Sequence, residues 1–277
     1  MTKLTIGTTV YDDYDGLYFT IQSIRLNNPE ILNRIEFVII NNNPSSTSGK
    51  EIRRMLDWIE EPVTYLEFSK YNTPFLKGRV FDLADTEYVL VLDCHVLLDP
   101  GCLTKLLNFY DQKKDEGNLL QGPLIYDNLT GIATHYDLSK WGSHMWGVWA
   151  TDKRGLDKNA EPFEIPAQGM GLFSCRKSSW LGFNKAFRGF GGEEGYIHEK
   201  YRNYGRKTLC LPFLRWLHRF GRPNGPTFKP NIKDKFRNYM IGFRETGKDT
   251  AEVIEQFKGV ISKEYIQTVE QELLQIT

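Results

Sequence analysis

The sequence predicts an α/β fold in which a mainly parallel sheet is flanked by helices and followed by a C-terminal helical extension. Apolar runs rich in β-branched residues alternate with segments of helical periodicity, which is the pattern of successive βα units. The apolar runs are nearly continuous, as is typical of strands covered on both faces. A chain of 277 residues can also bury one sizeable core, so we expect one domain with a C-terminal appendage.

The N-terminal part of the chain carries the regular alternation. We expect strands at residues 4–10, 35–40, 63–68 and 88–92. Apolar residues at three-to-four spacing predict helices at residues 17–26, 50–59 and 77–83. Strands joined through helices in one sheet run parallel with right-handed crossovers. These strands should therefore lie side by side.

The pattern changes after Asp93. A helix is expected at 103–110 and a strand at 119–125, and an aromatic, loop-rich stretch continues to Trp149. No linker in this part of the sequence is clear enough to be a domain boundary. We therefore expect two halves, at about residues 1–97 and 98–222, within one domain.

The C-terminal part should be a loop followed by helices. Residues 220–231 concentrate Gly, Pro and Asn and should be irregular. Residues 250–276 carry a helical pattern that is broken at Gly259. We expect residues 223–277 to form an extension packed on the domain of residues 1–222.

Composition limits the classes of function. The N-terminus lacks the features of a signal peptide, and no apolar run approaches the ~18 residues that span a bilayer, so we expect a cytoplasmic protein. The four cysteines form no C-x-x-C pair, which argues against a zinc site. Net charge is zero, yet residues 202–248 hold twelve Lys and Arg against two acidic residues. This basic band should attract phosphates of a nucleotide or a nucleic acid.

The polar segments that follow the predicted strands are the candidate site. Ligands of open α/β sheets bind beyond the carboxyl ends of the strands, which here are residues 8–13, 41–46 and 93–95. Asp93 and His95 project together from extended backbone because residues i and i+2 point the same way. A carboxylate with an imidazole suits Mn²⁺ or another mid-row ion, whereas Mg²⁺ favours oxygen ligands. The alternative is that Asp93 ends a strand and His95 packs under the next turn.

Two further clusters carry possible chemistry. Glu193 and Glu194 follow two glycines and precede a helical pattern, so they either cap the helix or point into a cleft that the glycines open. His218 lies among aromatic residues and near Arg215, Arg219 and Arg222. It is either a packing residue or a group that faces phosphates.

A family resemblance connects these clusters. The runs PAQGMGLFS (166–174), WLGF (180–183) and FGGEE (190–194), followed by Tyr201-Arg202, resemble the GGLFS…LGxF…WGGE(D/N)…R pattern of polypeptide N-acetylgalactosaminyltransferases and β-1,4-galactosyltransferases. Asp93-x-His95 and His218-Arg219-Phe220 are similar to the D-x-H and H-x-F-R motifs of the first group. The resemblance covers roughly residues 4–222 and implies the GT-A fold, a Rossmann-like sheet with a donor half and an acceptor half.

The resemblance also implies roles for individual residues. The implied metal ligands are Asp93, His95 and His218. Glu194 would be the general base, and Glu193 would bind hydroxyls of the donor or acceptor. Implied donor contacts are Thr8, Thr9, Tyr11, Asp12, Asn42, Lys77, Arg79, Cys94 and Arg219. Implied acceptor contacts are Gly191, Gly192, Trp141 and Trp146. The two tryptophans belong to an aromatic cluster that also contains His144 and Trp149.

The function that the resemblance implies is metal-dependent transfer of a sugar from a nucleotide-diphosphate sugar, a UDP-sugar in these relatives, to an acceptor hydroxyl. Two departures from the pattern concern specificity: Asn41-Asn42-Asn43 replaces the customary acidic residue, and Phe190 replaces Trp. The D-x-H motif points to retention of anomeric configuration, whereas Glu-Glu points to inversion. Both outcomes stay open.

The acceptor and the catalytic role have alternatives. The acceptor is a saccharide, a peptide or, because of the basic residues in the extension, a hydroxymethylated base in DNA. The charges that would contact DNA are Lys229, Lys233, Lys235 and Arg237, and their alternative is a solvated helix face. The aromatic cluster would be either a stacking platform or core. A non-catalytic protein that binds nucleotide sugars or polyanions is the alternative to an enzyme.

Overall fold

The computed structural model describes residues 3–70, 73–222 and 225–275. In the first half of the chain the elements are β1 (Leu4–Val10), α1 (Tyr14–Asn27), β2 (Ile35–Asn41), α2 (Thr47–Met55), β3 (Val63–Glu67), α3 (Thr73–Leu83), β4 (Tyr88–Asp93), β5 (Val96–Leu98), α4 (Cys102–Asp111), β6 (Leu119–Gln121), β7 (Leu124–Tyr126) and β8 (Ile132–Ala133). They are followed by β9 (His135–Gly142), β10 (Met145–Ala150), β11 (Phe163–Glu164), β12 (Leu172–Arg176), α5 (Glu193–Asn203), β13 (Thr208–Cys210), β14 (Trp216–His218), α6 (Ile232–Glu245), α7 (Thr250–Gln256) and α8 (Lys263–Leu273).

The central sheet of the described residues has the strand order β11-β13-β6-β12-β4-β1-β2-β3. Strands β3, β2, β1 and β4 are parallel neighbours, and β12 joins β4 antiparallel. Two smaller sheets have the orders β5-β14-β7-β8 and β9-β10. The α/β fold with a mainly parallel central sheet is therefore confirmed, including the four N-terminal strands.

The central sheet is covered on both faces, which explains the continuous apolar runs. In β4, Leu90 and Leu92 face a core that includes α1 and α4. Val89 and Val91 face the other core, which includes α3, α5 and α6. A Cβ atom added at Gly7 would lie 2.0 Å from a methyl group of Val80, so glycine lets α3 approach β1 closely.

The predicted strand at 119–125 is wrong as one element. Residues 119–121 pair in the central sheet, whereas residues 124–126 pair with β14 in the four-stranded sheet. Gly122 and Pro123 separate the two strands. A Cβ atom at Gly122 would lie 1.7 Å from the carbonyl oxygen of Leu214, and proline supplies no N–H to a ladder. The chain therefore leaves one sheet for the other at this point.

The predicted loop-rich stretch that continues to Trp149 is wrong from residue 135 onward, because these residues form the β9–β10 hairpin. Its turn residues Ser143 and His144 have φ angles of 49° and 61°, the positive values of a two-residue hairpin turn. The sequence lacks the Asn-Gly signal of such turns. An irregularity between Trp146 and Val148 shifts the register and hides the period-two alternation.

The C-terminal extension packs on the α3 side of the sheet. Helix α6 buries Phe236, Tyr239 and Met240 in the core that faces α3 and α5. The predicted break at Gly259 is confirmed, because it lies between α7 and α8, although residue 276 lies outside the described residues. In the described part of the chain, no helix combines the length and the apolar character needed to cross a membrane.

Candidate functional site

A cavity of about 340 Å³ lies at the carboxyl ends of the parallel strands. Thr9, Asn42 and Asp93, at or next to the ends of β1, β2 and β4, contribute to its wall. The segment before β12, the β9–β10 hairpin, residues of α3 and α5, and residues in and after β14 also line it. The cavity thus occupies the edge of the sheet that the sequence predicted for a ligand.

The structure brings Asp93, His95 and His218 together in this cavity. Asp93 ends β4, and His95 follows in the turn to β5. Strand β14 pairs with β5 so that His218 lies opposite Val96. One donor atom from each of the three side chains lies within 4.8 Å of the others, and His218 Nε2 lies 3.5 Å from Asp93 Oδ2.

The surroundings of this cluster favour an ionised Asp93 and a neutral His218, the forms in which these side chains bind a cation. Burial opposes ionisation of Asp93, but Lys77, whose Nζ lies 3.1 Å from Asp93 Oδ1, holds the pKa of Asp93 well below its usual value. Burial lowers the pKa of His218 despite the neighbouring Asp93, so its imidazole is neutral near pH 7. The buried Nδ1 of His218 has no hydrogen-bond partner among the described residues.

These residues fit a divalent metal ion. One carboxylate and two imidazoles form a donor set suited to Mn²⁺ and similar ions. A second group, Asp13 with Cys94 and His95, also has its potential ligand atoms close together. Burial raises the pKa of the Cys94 thiol well above its usual value, and metals bind the thiolate rather than the thiol. The first group is therefore the better metal site.

Asp13 lies at the centre of the site, and sequence reasoning missed its role. Its carboxylate accepts hydrogen bonds from the N–H of Gly16, at the start of α1, and from Arg219 Nη2 at 2.6 and 2.9 Å. Its Oδ2 lies 3.0 Å from His95 Nδ1. The available signal was an aspartate four residues before the predicted helix at 17–26; aspartate is a typical helix cap, but this signal does not indicate the contacts across the site.

Positive charge lies beside the predicted metal ligands. Lys77 and Arg222 line the cavity, and Arg219 is held by Asp13. The buried Nε atoms of Arg219 and Arg222 find no hydrogen-bond partner in the part of the chain that the structure describes. Arg79 does not join this group, because it pairs with Asp82 at 2.7 Å and is not part of the cavity wall.

The other predicted donor residues lie around the end of β1. Thr9, Tyr11 and Cys94 line the cavity. Thr8 is buried, and its Oγ1 lacks a partner among residues with a described position. Asp12 has a φ of 50° and accepts a hydrogen bond of 2.8 Å from Asn43 Nδ2.

The amide of Asn42 has a fixed orientation at the same end of the cavity. Its Nδ2 donates to the carbonyl oxygens of Phe68 and Lys70, at 2.7 and 3.0 Å. Both N–H donors of the amide are thereby used. The remaining polar atom, Oδ1, can only accept a hydrogen bond.

The two glutamates lie in different environments. Gly191 and Gly192 have φ angles of 97° and 92°, which glycine adopts without strain, and they lead into α5. Glu194 lines the cavity, whereas Glu193 is buried, with 1% of its surface exposed. Burial and the charge of Glu194 raise the pKa of Glu193 to about 8.

Glu193→Gln is expected to remove a loss of folding stability that the wild type shows as pH rises. The pKa of Glu193 is raised from 4.5 to about 8, so the folded state binds this proton more tightly than the unfolded state does. Stability should fall as pH rises through this range. Near pH 8.5 the variant should be more stable than the wild type by roughly 1–3 kcal/mol, and the difference should vanish near pH 4.5. Denaturant titrations at several pH values measure this difference.

Glu199→Gln, on the same helix, is the matched control with the opposite sign. Arg202 and Lys248 lower the pKa of Glu199 although burial opposes them, so its contribution should be lost as pH falls. An unchanged pH profile for Glu193→Gln would contradict the raised pKa.

The C-terminal extension holds the turn that carries the two glutamates. Asn238 of α6 donates to the carbonyl oxygens of Arg188 and Gly191, at 2.8 and 2.9 Å, and its Oδ1 accepts the N–H of Arg188. A Cβ atom at Gly191 would lie 2.9 Å from Lys235 Cγ. Helix α6 therefore forms part of the support of the site.

The aromatic residues divide between the cavity and the core. Trp149 and Tyr136 line the cavity and contact each other, with ring centroids 4.4 Å apart. Trp141 donates its indole N–H to Glu252 and packs on α6. Trp146 is buried and donates to the carbonyl oxygen of Leu138. The structure therefore brings Trp149 to the cavity and leaves Trp141 and Trp146 in packing positions, and His144 packs on Phe257.

The basic residues of the extension have separate partners. Arg237 is buried and paired with Glu272, with Nε 2.8 Å from Oε2. Lys233 lies over the ring of Tyr265. Lys235 lies next to the turn of the two glutamates, and Lys229 is exposed. Most of these four basic side chains therefore contact other parts of the protein.

Known proteins are similar to this chain in sequence and in fold. The sequence matches the family described as glycosyl transferase family 2 over residues 5–179. The crystal structure of GalNAc-T7 with UDP, GalNAc and Mn²⁺ is similar, with a TM-score of 0.68, 15% identity and coverage of 92% of this chain and 56% of that chain. The crystal structure of S. aureus TarS 1–349 in complex with UDP-GlcNAc is also similar, with a TM-score of 0.57, 11% identity and coverage of 92% of this chain and 70% of that chain.

The limits of these matches are also clear. This chain spans little more than half of the GalNAc-T7 structure. No curated protein matches the sequence significantly. At these identities the solved structures show the fold alone, which is the GT-A fold. The family match covers more than half of the sequence, and the chain therefore belongs to glycosyl transferase family 2.

Proposed function

We propose that this protein is a metal-dependent glycosyltransferase that moves a sugar from a UDP-sugar to an acceptor hydroxyl. The observation that carries the proposal is one cavity that is lined by the cluster of Asp93, His95 and His218 and also by Glu194. The similar structures contain UDP with Mn²⁺ in GalNAc-T7 and UDP-GlcNAc in TarS. Transfer of a sugar from a diphosphate to a hydroxyl is assisted by a metal ion on the leaving diphosphate and by a base that accepts the proton of the hydroxyl. The cavity offers metal ligands and a carboxylate for these two roles.

The diphosphate of the donor would lie between the metal site and the basic side chains. Asp93, His95 and His218 would hold the ion, and the bound ion would act as a Lewis acid on the leaving diphosphate. Arg219 and Arg222 each carry a buried N–H that lacks a partner within the described residues. Phosphate oxygens are suitable acceptors for such groups.

The uracil of the donor would bind near Asn42. Because Asn42 Oδ1 can only accept, it suits a ring N–H such as N3–H of uracil. This amide would take the place of the acidic residue that the resemblance leads one to expect after β2. Thr9 and Tyr11 would lie beside the nucleoside, since they line the same cavity at the end of β1, the strand next to β2.

UDP is expected to bind at least about tenfold more tightly than CDP, since a lost or repulsive buried hydrogen bond costs about 1–3 kcal/mol. N3 of cytosine is an acceptor and would face the acceptor Oδ1 of Asn42. Calorimetric titration with both nucleotides in Mn²⁺ gives the ratio, and UMP with CMP provides the control for diphosphate binding. Equal affinities for UDP and CDP would contradict the role of Asn42.

Glu194 would take the proton of the acceptor hydroxyl. Of the two glutamates it is the one that lines the cavity, and the pKa of Glu193 is raised to about 8 by burial and by Glu194. Burial lowers the pKa of Lys77, but the neighbouring Asp93 raises it above its usual value. Lys77 would thereby stay charged beside Asp93.

We favour a saccharide or a peptide as acceptor over DNA. Arg237 and Lys235 have positions inside the fold, so the basic band does not require a nucleic acid. Trp149 and Tyr136 supply aromatic surface in the cavity that Glu194 also lines, and such surface suits a sugar ring or an aromatic side chain.

Mass spectrometry of acceptors incubated with mixed nucleotide sugars and Mn²⁺ tests the function. The acceptor panel contains saccharides, peptides and hydroxymethylated DNA, and a parallel reaction contains excess chelator. We expect transfer from a UDP-sugar that chelation abolishes. Full transfer in chelator would overturn the metal assignment. Donor binding without transfer or hydrolysis would support the non-catalytic alternative.

A further inference from the structure

One carboxylate joins three elements of the site. Asp13 accepts the N–H of Gly16 and so caps α1. It also contacts His95 of the β4–β5 turn and Arg219 after β14. Its side chain is only 8% exposed, and Arg219 Nη2 lies 2.6 and 2.9 Å from its two oxygens, which is the geometry of an ion pair. Asp13 is therefore a buried anion with partners on both of its oxygens.

The contact with His95 determines which ring nitrogen is free. An ionised carboxylate can only accept hydrogen bonds, so Nδ1 of His95, at 3.0 Å from Asp13 Oδ2, carries a hydrogen atom. In the neutral ring, Nε2 then carries the lone pair. Hydrogen-bonded partners of this kind orient a ligating histidine and raise its basicity.

The contact with Arg219 orients a cation at the same time. Arg219 Nη2 lies within hydrogen-bond distance of both oxygens of Asp13. This contact leaves the Nε–H of Arg219, which lacks a partner among the described residues, for another acceptor. A rigid guanidinium loses less side-chain freedom when it binds an anion.

We propose that Asp13 is a positioning residue that fixes the tautomer of His95 and the orientation of Arg219, and thereby couples binding of the divalent metal with binding of the donor diphosphate. This inference rests on the proposed function, because it takes His95 as a metal ligand and Arg219 as a diphosphate contact. Asp13 would act through these two residues, because both of its oxygens already have protein partners. Loss of Asp13 would weaken both binding events through residues that remain present.

Asp13→Asn tests the proposal with little change in shape. Asparagine is as good a helix cap as aspartate, so α1 should still begin at Tyr14. The amide cannot accept from His95 and Arg219 as the carboxylate does. We expect Mn²⁺ affinity, measured from the EPR signal of free Mn²⁺, to fall about 10–100-fold. Asp249→Asn is the matched control, because Asp249 caps α7 through Ala251 and has no contact with the site.

A second readout reports the tautomer without any metal. At pH 8.5 the ¹⁵N shifts of His95 should show hydrogen on Nδ1 in the wild type and a shift toward the Nε2–H form in Asp13→Asn. A purely structural role would leave these shifts unchanged. This measurement also decides the question if the variant is less stable than the wild type, since it needs only the folded fraction.

Arg219→Met distinguishes the effect of Asp13 on diphosphate binding from its effect on metal binding. It should weaken UDP binding without weakening Mn²⁺ binding, because the contact between Asp13 and His95 remains. Wild-type Mn²⁺ affinity in Asp13→Asn, with an unchanged tautomer of His95, would overturn the positioning role. Failure of the wild type to bind Mn²⁺ would instead overturn the metal assignment in the proposed function, and the two failures are thereby distinct.

Discussion

Glu194→Gln is expected to retain the fold and the affinity for UDP and to lose transfer by about 10²–10⁴-fold, the typical contribution of a general base. The amide keeps the shape of the side chain that lines the cavity but cannot accept the proton of the hydroxyl. The loss should appear in kcat, with little change in donor KM. Steady-state rates with the best acceptor of the panel measure it.

Two further measurements make this prediction decisive. Glu255→Gln is the control, since Glu255 is largely exposed on α7 and pairs with Lys258, and it should transfer at the wild-type rate. A normal rate for Glu194→Gln would contradict the proposed base. A product that retains the anomeric configuration of the donor would also exclude a simple displacement in which Glu194 activates the acceptor, and would leave inversion out of the mechanism.

The parts of the fold that the sequence predicted are those that local patterns determine. The apolar run of β4 and the alternation of Asp93 and His95 are features of neighbouring residues. The meeting of His95 with His218 is a long-range property that depends on the pairing of β5 with β14. That contact was accessible only through the family resemblance, because spacing along the chain does not show which strands pair.

Other features of the site depend on register and could not be obtained in this way. Trp141, Trp146 and Trp149 look equivalent in the sequence, but the shift in pairing after Trp146 determines which of them reaches the cavity. Asp13 and Arg219 meet across 206 positions of sequence. The sequence shows the number of basic residues in the band. Only the structure shows that one of them, Arg237, forms an ion pair with Glu272.

Asp93→Ala is expected to abolish Mn²⁺ binding and transfer and also to destabilise the fold. The change removes one of the three predicted ligands, so the loss of Mn²⁺ affinity should exceed the 10–100-fold typical of an outer partner. It also leaves Lys77 buried, with 5% of its side chain exposed and its Nζ without the carboxylate now 3.1 Å away. Breaking a buried ion pair from one side costs about 3–5 kcal/mol, and we expect a loss in this range. EPR with Mn²⁺ and denaturant unfolding measure the two effects separately.

The double variant Lys77→Met with Asp93→Ala separates the metal site from the ion pair. Removing the buried cation should make the double variant more stable than Asp93→Ala, because no unpaired charge remains, while Mn²⁺ binding and transfer stay absent. Asp82→Ala is the control for a surface pair on the same helix: Asp82 is mostly exposed and contacts Arg79, so its loss should cost about 0–1 kcal/mol. Recovery of Mn²⁺ binding in the double variant would show that Lys77, and not the loss of a ligand, had prevented binding in Asp93→Ala. In that case Asp93 would be a partner of Lys77 rather than a metal ligand, and the ion would have to be held by His95 and His218 with groups of the donor.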